Sequence, residues 1–94
     1  MKLSHVMPAD AQDEFWSVVR RCIREFHADV SRSILSKANR LRKKVANLPV
    51  KEMELFFHSE PFDVASRLAG HPLRVEDHLE RYLKIRDDDE DQGR

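Results

Sequence analysis

Apolar residues in this chain recur at three- and four-residue intervals in one segment after another. That is the spacing of side chains sharing one face of an α-helix. In the first segment Ala11, Phe15, Val18, Val19, Cys22 and Phe26 fall on one face, and Trp16 and Ile23 widen it to nearly half the circumference. Pro8 stands at a first helical position, with Asp10, Asp13 and Glu14 in the opening turns and Arg20, Arg21 and Arg24 toward the end. This order of charges complements a helix dipole, so a helix is predicted from Pro8 to about His27. Its broad apolar face suits a central helix with more than one neighbour.

The second helix is predicted from Ser31, read as an N-cap, to Leu48, where Pro49 stops it. Ile34, Ala38, Leu41, Val45 and Leu48 are spaced four, three, four and three residues apart. This is a heptad seam of about two repeats, short of what a coiled coil needs. An antiparallel hairpin against the first helix accounts for it, and so does pairing with a second chain; the hairpin is the safer reading. Val50 to His58, with Met53, Leu55, Phe56 and Phe57, reads as a short helix, although alternation over Val50–Leu55 imitates a strand. Pro61 opens a helix over Phe62–Ala69, and Gly70 is placed as its left-handed C-terminal cap with Pro72 just beyond. A last helix is expected over Arg74–Ile85, its face formed by Val75, Leu79, Tyr82 and Leu83.

The expected fold is therefore all-α, a compact bundle of four to five helices. Residues 1–86 form one domain, and the run beginning at Asp87, with five consecutive acids, is expected to be a disordered acidic C-terminal tail over 87–94. Composition agrees. Two glycines and four prolines leave few tight turns for an all-β fold, and 40% hydrophobic residues suffice for a core. With 94 residues and one cysteine, Cys22, the core is small and no intrachain disulfide can reinforce it. Self-association is one remedy. The sequence carries no apolar run of signal-peptide or membrane-span length, so a cytoplasmic protein with no membrane partner is expected.

Charge changes the picture locally. Seventeen basic and seventeen acidic residues cancel over the whole chain, yet Arg32, Lys37, Arg40, Arg42, Lys43 and Lys44 stand between Ser31 and Leu48 without one acid. Such a helix can lie along phosphates, with Arg40, Lys43 and Lys44 as the candidate contacts. It can equally be a solvated outer face, which the neutral total and the lack of interleaved aromatics favour. The acidic tail offers a charged mimic that could compete for the same face.

Candidate chemistry is sparse. His5, His27, His58, His71 and His78 are scattered, no HExxH is present, and one cysteine excludes the usual structural zinc sets. No metal and no cofactor are expected. Phe62 to Ile85 can be compared with a helix-turn-helix, but Glu76, Asp77 and Glu80 would face the phosphates, so a plain αα-corner describes it better. Arg21 and His27, with five residues between them, resemble in spacing the Arg-x4–6-His pattern of the HEPN helical ribonucleases. Cys22 occupies the place that pattern keeps for a polar residue, and the chain is not assigned to that class. Cys22 itself lies on the apolar face and reads as a small core residue.

Trp16 and Phe57 are the large apolar groups that would form a partner-binding patch if the first helix is not fully covered. Three readings follow. The leading one is a non-catalytic protein-interaction or regulatory module, plausibly homodimeric. The second is a nucleic-acid-binding accessory protein using the basic helix 31–48. The third is a small hydrolase or ribonuclease using His27 or His58.

Overall fold

The computed structural model describes the backbone of residues 9–92 and the side chains of 10–87. Five α-helices and two 3₁₀ turns account for nearly all of it, and no strand occurs among the described residues. The chain is all-α, as its periodicity predicts.

The eighteen-residue α1 (Ala9–Phe26) is the axis of the bundle. Phe15, Trp16, Val18, Val19, Cys22 and Ile23 are all buried, and Val19, Cys22 and Ile23 have no exposed surface. Three further helices pack around it: α2 (Ser31–Ala46), α4 (Pro61–Ala69) and α5 (Leu79–Gln92). They contribute Ile34, Ala38 and Val45 from α2, Phe62, Val64 and Ala65 from α4, and Tyr82 and Ile85 from α5. The seam of α2 thus closes within the one chain, with Leu41 and Leu48 packed partly buried at its edge.

The short α3 (Val50–Phe57) adds an aromatic clasp. Phe56 stacks on Trp16 at 5.5 Å, and Phe57 meets Phe15 edge-on at 5.0 Å. Edge-on and offset arrangements like these are the favoured geometries of aromatic pairs. At the far end of α1, Phe26 meets Phe62 edge-on at 5.0 Å, and the Arg81 guanidinium lies 4.8 Å over the Phe26 ring. Arg81 also pairs with Glu25, and Arg42 of α2 with Asp13, so ion pairs tie α5 and α2 to α1.

Several boundaries differ from the sequence-based expectation. Ser31 is the first residue of α2 rather than its cap, because a 3₁₀ turn over Ala28–Val30 leads straight into the helix. α2 ends at Ala46, two residues early: a residue before proline is pushed out of the α region, and Leu48 precedes Pro49. The Nδ2 of Asn47 donates to the Lys43 carbonyl at 2.9 Å and helps close that end. The final helix does not begin at Arg74. A 3₁₀ turn over Val75–Asp77 comes first, and His78, turned onto the Phe26 and Phe62 rings, takes φ −130° and breaks the helix there. Its carbonyl then accepts from the Tyr82 amide at 2.9 Å, starting α5 afresh. At the other end, α5 runs on to Gln92, through the acidic run expected to form a disordered tail. The side chains beyond Asp87, and residues 93–94, lie outside the described residues.

Gly70 caps α4 in the left-handed conformation at φ 67°, as its place in the sequence predicts. A methyl group added there would meet nothing within 4 Å. Gly70→Ala is therefore expected to cost only the backbone penalty, about 1 kcal/mol. Ile23→Ala, which opens a cavity in the core, is expected to cost about 2–5 kcal/mol, and Leu55→Ala on the surface less than about 0.5 kcal/mol. Urea unfolding midpoints of the three variants check this order.

Candidate functional site

Helical geometry sorts the residues of α2 into two faces. At about 100° per residue, the buried Ile34, Ala38 and Val45 centre one face, and Arg32, Lys37, Arg40, Lys43 and Lys44 span about 140° on the other. All five bases are exposed, as are Ser33 and Ser36 between them. Among the described residues none of the five enters an ion pair; Arg42, turned toward α1, is the base of this helix that does, with Asp13. The basic residues singled out in the sequence, Arg40, Lys43 and Lys44, are thus brought together on one surface, joined by Arg32 and Lys37. No acid and no apolar side chain interrupts it.

The other pair of sequence-predicted contacts behaves differently. Trp16 is 3% exposed, enclosed by Phe15, Phe56 and Phe57, and presents no patch to a partner. Phe57 is partly buried in the same cluster. Both serve the aromatic clasp, because α3 folds back over the part of α1 that carries Trp16. Sequence periodicity places Trp16 on the broad face of α1 but cannot say that α3 covers it.

An open cleft of about 230 Å³ lies where the α3–α4 junction meets α1 and α5. Phe15, Val18 and Phe57 line it together with Glu14, His58, Glu60 and Arg86. Two of its polar groups, Glu60 and Arg86, act as fasteners. The Tyr82 hydroxyl donates to Glu60 Oε1 at 2.8 Å, Arg86 Nη1 stands 3.6 Å from the same oxygen, and the Arg86 guanidinium lies over the Tyr82 ring. Burial, with the neighbouring Glu60 carboxylate, pushes the Tyr82 hydroxyl well above its ordinary pKa and keeps it protonated.

Three of the histidines gather at the other end of α1. His27 is buried, with the His71 ring 6.2 Å away, while His78 packs on Phe26 and Phe62. Burial first, then the positive charge His71 and His78 can carry, lowers the His27 pKa below its ordinary 6.5. His58 lies exposed beside the first half of α1, so the two histidines considered for catalysis are not brought together. Among the described residues no group of three or more His, Cys, Asp and Glu is arranged to hold a metal ion. Cys22 has no exposed surface, and burial pushes its thiol up to about 12, which keeps it protonated as a core residue.

Set against known proteins, the chain matches no family model, no curated protein and no solved structure.

The state of His27 has a consequence for stability. The folded chain holds it neutral, while the unfolded chain takes up a proton near pH 6.5, so its contribution is complete above that pH. As pH falls through 6.5 toward the lower folded value, the unfolded state binds the proton first and stability declines. Chemical denaturation between pH 7.5 and 5.5 should show this fall, and His27→Gln should flatten it; an unchanged slope in the variant would exclude His27 as the cause.

Proposed function

We propose that the protein is a non-catalytic binding module that takes nucleic acid on the outer face of α2. The observation carrying this reading is the unbroken exposed set of Arg32, Lys37, Arg40, Lys43 and Lys44, unpaired among the described residues and opposite the core. Lys and Arg on one surface neutralise phosphates and release their counterions, the main source of nucleic-acid affinity. The serines between them suit the same task, since hydroxyls also donate to phosphate oxygens. A protein partner would be better served by exposed aromatic or other apolar anchors, which this face lacks. The neutral total charge does not weaken the argument, because a ligand at the surface feels the local field more than the distant acids. A non-catalytic role is supported by the engaged state of the reactive groups: Cys22 and His27 are buried, and Tyr82, Glu60 and Arg86 fasten one another.

Binding of the full chain to a mixed-sequence DNA duplex, followed by fluorescence anisotropy, tests the reading. With four or five phosphate contacts, affinity should fall on the order of 100-fold between 50 and 200 mM salt. Combining Arg40→Glu, Lys43→Glu and Lys44→Glu should abolish binding while the helical circular dichroism signal persists. Absence of salt-dependent binding to any nucleic acid would overturn the proposal.

A second reading, a homodimeric interaction module, is favoured by one observation. Leu79 and Leu83 lie one turn apart on α5, 46% and 43% exposed. Light scattering at low and high salt separates the two. A dimer that persists at high salt and dissociates on Leu79→Lys with Leu83→Lys supports this second reading; a monomer in every condition excludes it.

A further inference from the structure

The outer face of α2 has an internal order that a merely solvated surface does not require. On the helical wheel Arg32 and Lys43 stand about 20° apart on one flank, and Lys37 and Lys44 about 20° apart on the other. The flanks are roughly 120° from each other. Between them run Ser33, Ser36 and Arg40, so the midline has two small residues and one long base. Along the axis the flank pairs are separated by about 16 Å and about 10 Å, at 1.5 Å per residue. All seven aromatic side chains of the protein are buried or partly buried, and none is exposed beside this face.

We infer that α2 docks lengthwise in the major groove of duplex DNA, its two basic flanks on the two phosphate walls and Arg40 directed at the base edges. The inference rests on the nucleic-acid reading given above and narrows it to one ligand and one groove. A helix with its side chains is about 10–12 Å across, and the major groove of B-form DNA is about 12 Å wide, enough to admit it. Two separated rows of cations match two separated rows of phosphates, where a single strand would need only one. The serines on the midline let the backbone of α2 come close to the groove floor. Arg40, standing between them, carries the fork of donors that fits the O6 and N7 acceptors of guanine. The residues that α2 buries, Ile34, Ala38 and Val45, lie on its opposite side, and the bases of the docking face are all exposed.

The same features disfavour other nucleic acids. The major groove of an A-form RNA duplex is too deep and narrow for a helix to enter. Single strands are held largely by bases stacking on exposed aromatic rings, and here the rings are all occupied in the core and clasp. Base contact by a single arginine also limits the sequence information that can be read. The expected behaviour is strong, salt-dependent binding to duplex DNA with a modest preference for sites containing G·C pairs.

Fluorescence anisotropy of the full chain with 20-base-pair DNA duplexes, an RNA duplex of the same length and single-stranded DNA, all at about 50 mM salt, tests the placement. Duplex DNA should bind at least roughly tenfold tighter than either alternative. Lys43→Ala should weaken binding to every duplex equally and reduce the salt slope by about 1. Arg40→Ala should in addition remove a preference of roughly tenfold for a G·C-containing duplex over one made only of A·T pairs. The major-groove ligand methyl green should compete with the protein. Equal binding to RNA duplex or single strand, or an Arg40→Ala variant that only lowers the salt slope, would overturn the groove placement while leaving nucleic-acid binding in place. No salt-dependent binding to any of the probes would overturn both.

Discussion

The broad apolar face of α1 is the constraint on which the rest of the molecule depends, since three helices and the aromatic clasp of a fourth all use it. Val19, Cys22 and Ile23 have no exposed surface where α2, α4 and α5 pack on α1, and Phe15 and Trp16 meet the phenylalanines of α3. A chain of 94 residues buries only a modest fraction of its surface, so one helix shared by several neighbours is an economical core. Polar fasteners add contacts at the periphery. Arg42 with Asp13 and Arg81 with Glu25 hold flanking helices to α1, while Glu60 gathers Tyr82 and Arg86 at the junction of α3 and α4. These partly exposed pairs add little stability.

The way α1 is covered determines what remains for function. Because α2 uses Ile34, Ala38 and Val45 against α1 and α4, its seam is consumed within the chain and its basic residues are turned outward. A permanent partner on the seam would have hidden the apolar side and left the same bases outside, but the chain supplies that cover itself. Trp16 illustrates the converse. As an isolated large aromatic on a wide helical face it invites a binding role, and the fold assigns it to the clasp.

Three groups with chemical potential, Cys22, Tyr82 and His27, are buried in structural work. Cys22 stays a protonated thiol with no exposed surface, the Tyr82 hydroxyl donates a hydrogen bond to a carboxylate that also faces Arg86, and His27 is kept neutral at the end of α1. His27 beside His71, and His78 against Phe26 and Phe62, join α1 and α4 to the turn before α5, so protonation of His27 is felt where three elements meet.

Much of this was legible from local order in the sequence. The helices and the stops between them follow from side-chain periodicity and from Pro49, Pro61 and Gly70, because each of these acts on the backbone within a residue or two of itself. The basic face of α2 was legible for the same reason: the helix period alone puts Arg32, Lys37, Arg40, Lys43 and Lys44 on the side away from Ile34 and Val45. What depended on contacts between distant residues was not. The closure of the seam within one chain, the burial of Trp16 beneath Phe56 and the break at His78 where its ring meets Phe26 and Phe62 were decided by packing between helices far apart in the chain. Periodicity states which side of a helix is apolar; only the tertiary arrangement decides which neighbour covers it, and therefore which face is left to meet a ligand.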